Sequence, residues 1–167
     1  AKKRCINPKK LLGSFYQKNI SSQDYNRFIK LLPKYHYIQM NLNSFDYEKI
    51  QNHINPTNII FTYEPSNLFI GEISYLRAFR INFEKKFKTY PYIECIIKVV
   101  DKKKHPAIES CVKSIGAILG GCNSLIIHTN IEEKINIQQE LILKYESFLN
   151  KVTDSLHGSY LIETMTQ

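Results

Sequence analysis

The stretch from Tyr92 to His128, YIECIIKVVDKKKHPAIESCVKSIGAILGGCNSLIIH, decides the fold. Its opening, Tyr92 to Val100, is rich in Ile and Val and reads as a buried strand. Asp101 to Lys104 break the run with charge, and Pro106 suits the first position of a helix, where its missing N–H costs nothing. Ile108, Cys111, Val112, Ile115, Ile118 and Leu119 then recur at helical spacing, and the helix is expected to bury that face. Gly120 and Gly121 stop it, and Ser124 to His128 reads as a second strand. Two apolar strands joined by one helix form the unit of a parallel sheet, because parallel neighbours need a crossover connection.

The same unit recurs on both sides. Upstream, a strand over Asn58 to Tyr63 leads to a helix over Leu68 to Phe87. That helix places Phe69, Ile73, Leu76, Phe79, Phe83 and Phe87 on one face as expected core, with Arg80 and Glu84 four apart on the outside. Further back, a strand over Tyr35 to Leu42 precedes a short helix over Ser44 to Ile54, which Pro56 ends, and a leading helix spans Ser22 to Leu32. Downstream, a helix from about Glu132 to Lys151 is expected to turn Gln138, Leu141, Ile142, Tyr145, Phe148, Leu149 and Val152 inward. A turn at Asp154 to Gly158 then leads into a short final helix carrying Tyr160, Ile162 and Met165. The expected fold is α/β: a partial (βα) TIM-barrel-like parallel sheet of about four strands with crossover helices. A small doubly wound sheet is the alternative, but no GxGxxG or GxxxxGK[ST] fingerprint follows any strand. Residues 1–21 read as a basic N-terminal arm and 22–167 as the partial barrel domain.

Charge and composition limit the function classes. The chain of 167 residues carries a formal charge of +8, and five basic residues, Lys2, Lys3, Arg4, Lys9 and Lys10, fall at its start. A basic nucleic-acid-binding module, using this arm and the Lys102 to Lys104 loop, is therefore an alternative function. The near-neutral remainder argues against it, and Lys102 to Lys104 with His105 read more simply as a solvated turn. No apolar run approaches the ~18–20 residues of a membrane helix. Cys5, Cys95, Cys111 and Cys122 form no CxxC pair and read as reduced thiols in a cytoplasm. His36, His53, His105, His128 and His157 stand singly, so no metal site is assembled. No nucleophile and base stand at a recognisable spacing, and no catalytic residue is assigned.

Three blocks in order carry a resemblance: AILGGCNSL from Ala117 to Leu125, LILKYES from Leu141 to Ser147, and KVTDSLHGSYLIE from Lys151 to Glu163. They resemble the C-terminal part of the barrel of the methylmalonyl-CoA mutase family, whose pattern runs close to AVLGGTQSLHTN, LILQEES and DPxGGSYYVExLT. Gly71 to Arg80, GEISYLRAFR, is similar to the family helix that reads EIAKLRALR. The likeness spans about residues 58–166 and is nearest to the small, or beta, subunit of bacterial heterodimeric mutases.

The resemblance implies an isomerase family whose reaction interconverts methylmalonyl-CoA and succinyl-CoA with adenosylcobalamin. It implies that Gly120, Gly121, Asn123, Ser124 and Glu146 face substrate or cofactor in the family complex. Asp154, Gly158 and Ser159 form a structural turn, with the serine hydroxyl available to cap the final helix. The departures point away from catalysis. The DPxGGS block has become Asp154-Ser155-Leu156-His157-Gly158-Ser159, and the RIARN block is Lys134-Ile135-Asn136-Ile137-Gln138, without its arginines. Tyr145 replaces one Glu of the family's EE pair, and the DxHxxG motif of the cobalamin domain is absent from the sequence. The expectation is a non-catalytic small-subunit-like chain or truncated remnant, a pseudoenzyme that binds no cofactor by itself. Its expected partner is a mutase large subunit or a second copy, since the strands at Tyr35 to Leu42 and Ser124 to His128 are expected to be unpaired edges. Ile60 and Ile126 are expected to face an open cleft.

Overall fold

The computed structural model describes residues 13–14, 27, 35–36, 38–44, 56–99, 105–129, 133–149, 151–152 and 154–167. The apolar runs become strands β1 (Gly13–Ser14), β2 (Tyr35–His36), β3 (Ile38–Asn41), β4 (Ile59–Tyr63), β5 (Tyr92–Val99) and β6 (Ser124–Thr129). Helices α1 (Phe69–Phe87), α2 (Pro106–Leu119), α3 (Glu133–Tyr145) and α4 (Tyr160–Thr166) alternate with the later strands and follow them. Strands β3, β4, β5 and β6 form one sheet in chain order, every pair parallel. The order never reverses, as it would at a doubly wound switch point, and it is consistent with part of a (βα) barrel. The expected helices over Ser44 to Ile54 and Ser22 to Leu32 lie outside the described residues, apart from Ser44 in a 3₁₀ turn and Arg27, which is helical. The Lys102 to Lys104 loop also lies outside them, as does the basic arm apart from β1.

The short β1 covers only the start of one expected edge, and β3 pairs with β4 alone among the described residues. Gly13 and Ser14 pair in parallel with Tyr35 and His36, so the first two residues of the Tyr35 to Leu42 stretch have a strand partner. Among the described residues β6 pairs with β5 alone.

Alternation along each strand divides the sheet into two faces. Ile59, Phe61 and Tyr63 of β4, with Ile93, Cys95, Ile97 and Val99 of β5 and Ile127 of β6, join Leu76, Phe79 and Phe83 of α1 in one core. Phe61 is fully buried at its centre, edge-on to Phe79 and Phe83 with ring centroids 5.0 and 5.2 Å away. On the opposite face the register sets Asn41, Thr62, Glu94 and Ser124 in one row across all four strands. Ile96 beside Ile126 and Lys98 beside His128 continue that face toward the carboxyl ends. Ile60 does not face an open cleft: it is only 5% exposed, whereas Ile126 is half-buried.

Two helices bury faces that match only in part those their apolar spacing predicts, with Ile115 and Ile118 of α2 and Leu149 beyond α3 packed against the core as expected. In α2, Ser110, Ser114, Gly116 and Ala117 are buried, while Ile108 is 63% exposed and Val112 lies open. The two serines of this buried face are satisfied: Ser114 donates to the Ser110 carbonyl at 2.7 Å and Ser110 to Gln139 Oε1 at 2.7 Å. In α3, Gln139 and Leu143 are buried, while Leu141, Ile142, Tyr145 and Phe148 are exposed. The α3 helix also stops at Tyr145 rather than Lys151, because Phe148 takes a left-handed φ of 55° and Ser147 N–H returns to the Ile142 carbonyl at 3.0 Å. Phe69, expected in the core, stands at the surface end of α1.

Candidate functional site

Parallel sheets present ligand sites at the carboxyl ends of their strands, where loops lead into helix amino termini. Here a groove of about 380 Å³ opens at that rim between the starts of α1 and α2. Pro65, Phe69, Ile108 and Val112 give it apolar walls, and Glu72, His105 and Lys113 supply polar atoms.

Glu72 is the buried charge of this rim, one turn into α1 among Ile73, Leu76 and Phe69. Both of its oxygens are occupied. Tyr63 Oη donates to Oε2, while the Ser66 N–H at 2.9 Å and the Ser66 hydroxyl donate to Oε1. Burial, then the hydrogen bond to Glu72, push the Tyr63 phenol far above its ordinary range, so it remains a proton donor. Tyr75 stacks on Tyr63 at 5.4 Å and donates to the Leu42 carbonyl at 3.2 Å, which ties α1 to the end of β3. Lys113 is held by Glu109 at 3.0 Å. Glu72 is thus held by Tyr63 and Ser66, and Glu109 by Lys113, at the polar side of an apolar-walled recess. The one sequence signal for this cluster was a carboxylate on an otherwise apolar helix face.

Of the residues that the resemblance assigns to substrate or cofactor, Gly120, Gly121, Asn123 and Ser124 stand together at the amino-terminal end of β6, the opposite rim. Their contacts are structural. The α2 helix ends in a Schellman turn: Gly121 N–H bonds the Ile118 carbonyl at 2.9 Å and Cys122 N–H the Ala117 carbonyl at 3.0 Å, with Gly121 at φ +89°. Arg80 donates to the Gly121 carbonyl, so it turns inward rather than outward as expected. Asn123 grips β5 twice, its N–H on the Ile93 carbonyl at 2.8 Å and its Oδ1 accepting from Ile93 N–H at 2.9 Å. Glu146 lies apart and exposed, just past the end of α3.

The Asp154 turn is a lock between α1 and the chain end. Arg77 donates two bonds to the Asp154 carboxylate, at 3.1 and 2.8 Å, and Asp154 Oδ1 accepts from Leu156 N–H at 3.1 Å. Gly158 takes φ +83°. The Ser159 side chain does not cap α4 as expected; the Glu163 carboxylate instead accepts from the Gly158 N–H at 2.7 Å, one residue before the cap.

His105 and His128 are exposed at separate places, His157 has a side chain 83% exposed, and no group of three metal-ligating side chains occurs among the described residues. No described helix is long and apolar enough to cross a membrane. No family model matches the sequence, and no curated protein matches it.

Proposed function

We propose that this chain is a non-catalytic, mutase small-subunit-like (βα) unit that works by packing against a second subunit in a cytoplasmic complex. The observation that carries the reading is the outward apolar face of α3 and its exit: Tyr145 is 65% and Phe148 64% exposed, with Leu141 and Ile142 about half exposed beside them. The β6 edge, with β5 as its one strand partner among the described residues, gives the same complex a place to extend the sheet. The resemblance supplies the partner's identity, a large catalytic subunit carrying the adenosylcobalamin, and in its absence a second copy takes the same face. The hydrogen-bonded closure of Glu72 supports the non-catalytic half of the proposal, since a carboxylate with both oxygens engaged is a poor general base.

Two experiments test the two halves. Purified chain given methylmalonyl-CoA and adenosylcobalamin is expected to form no succinyl-CoA, and formation of the product overturns the non-catalytic reading. Leu141→Lys with Tyr145→Lys is expected to abolish association and leave the circular dichroism spectrum unchanged. Association that survives the double substitution shows that the α3 face is not the contact.

A further inference from the structure

Glu72 is a buried carboxylate whose described partners are all neutral. It is only 7% exposed, and its oxygens accept from the Tyr63 hydroxyl, the Ser66 N–H at 2.9 Å and the Ser66 hydroxyl. No lysine, arginine or histidine among the described residues pairs with it. Burying a charge is costly unless a counter-charge accompanies it, and hydrogen bonds from neutral donors meet only part of that cost. A carboxylate also offers about four acceptor positions, of which Ser66 takes two on Oε1 and Tyr63 one on Oε2. One position on Oε2 remains.

The groove at the carboxyl rim is lined by this same carboxylate. Of the other charged groups along it, Lys113 is taken by Glu109 at 3.0 Å, so that pair cancels. With histidine counted neutral, the lining keeps one uncompensated negative charge, that of Glu72. Its walls are apolar. Phe69 stands one turn before Glu72 on α1, so ring and carboxylate share a helix face. Gly116 of α2 leaves room for that ring: a Cβ there would lie 3.2 Å from Phe69 Cδ2. Ile108 and Val112, which α2 leaves exposed, complete the apolar side. A volume of about 380 Å³ suits a small molecule rather than a folded partner.

We propose that this groove binds a small primary ammonium with an apolar body, of the arylalkylamine kind. The ammonium pairs with Glu72 as the missing counter-charge and donates to the open position on Oε2, while the body lies against Phe69, Ile108 and Val112. Glu72 acts here as a counter-ion and not as a base, so its engagement by Tyr63 and Ser66 positions the charge rather than blocking it. No residue of α3 lines the groove, so this binding stands or falls separately from the packing role of that helix.

The test is an NMR titration of the full, isotope-labelled chain with phenylethylammonium, phenylethanol and phenylacetate, which share a body and differ in charge. Amide shifts are expected to move at Ser66, Phe69, Glu72, Ile108 and Val112. The ammonium is expected to bind about ten-fold tighter than the alcohol, because a charge-assisted hydrogen bond is roughly twice as strong as a neutral one. Glu72→Gln should remove that preference and leave binding of the alcohol in place. Equal affinity for ammonium and alcohol overturns the proposal, as does tighter binding of phenylacetate, the absence of saturable shifts at millimolar ligand, or shifts centred on the exposed α3 face. The comparison of the three probes needs no variant, so a Glu72→Gln chain that fails to fold does not remove the test.

Discussion

Substituting the two glycines after α2 separates two physical reasons for a glycine. Gly121 sits at φ +89°, where an L side chain is strained by about 1–2 kcal/mol. Its added Cβ would also stand against the Arg80 guanidinium, which donates to the Gly121 carbonyl, and displacing that bond costs up to about 1.5 kcal/mol more. Gly121→Ala is therefore expected to destabilise the fold by about 1–3.5 kcal/mol in all. Gly120 has an ordinary helical backbone, φ −72° and ψ −11°, so its reason is space. A Cβ there would lie 2.7 Å from Leu76 Cδ1 and 2.9 Å from Leu76 Cβ, far inside the ~3.5–4.0 Å contact of carbon atoms. Because Leu76 Cβ is fixed to the α1 backbone, the two helices must part, at about 1–3 kcal/mol. Urea unfolding measures both, with a slope of about 1–3 kcal/mol per molar. Two controls separate the causes. Gly121→Asn should cost less than Gly121→Ala, because asparagine tolerates a left-handed backbone. In an Arg80→Ala background, Gly121→Ala should keep its backbone cost of about 1–2 kcal/mol. A Gly121→Ala penalty that vanishes entirely in that background refutes the assignment of strain to φ.

Three further outcomes follow from the contacts. Glu72→Gln replaces one acceptor oxygen by an amide donor facing either Tyr63 or Ser66, and should lower stability by about 1–3 kcal/mol in urea unfolding. The buried Tyr63 phenol keeps its proton when the unfolded chain's phenol, near its ordinary value of about 10, begins to lose it. Its contribution is thus whole below pH ~10 and declines above it by up to about 1.4 kcal/mol per pH unit, and Tyr63→Phe should flatten that decline in alkaline thermal melts. Arg77→Lys cannot reproduce the two-pronged contact with Asp154, and should raise hydrogen exchange in α4 while costing about 1 kcal/mol or less, since the carboxylate is partly exposed.

The strands and their order were legible because apolar runs such as Ile93 to Val99 and Ser124 to His128 are bounded by charge, proline and glycine. The helix faces were less so. Hydrophobic spacing puts Ile108 and Val112 inward, but the buried face of α2 carries Ser110, Ser114, Gly116 and Ala117, whose contacts with Gln139 and Phe69 periodicity does not encode. Of the expected stripe along α3 and its exit, Leu149 reaches the core while Leu141, Ile142, Tyr145 and Phe148 are exposed, because Gln139 and Leu143 take the inner face. The two residues of β1 have no apolar signal, so their pairing with β2 was invisible. Arg80 and Glu84 have the spacing of an exposed ion pair, yet Arg80 closes the Gly121 turn instead. The Gly120-Gly121 pair and the Asp154 turn were found from sequence. Their local roles, a close helix contact, a Schellman turn and an arginine lock, emerged only from geometry.

The central claim, that this unit is completed by another subunit, is tested most directly by sedimentation of the full chain alone across a wide range of concentration. The account predicts a mass above 19.6 kDa that rises with concentration and returns to the monomer when Leu141→Lys and Tyr145→Lys are introduced together. A single species of 19.6 kDa at every concentration, with the α3 face intact and no partner added, would contradict it.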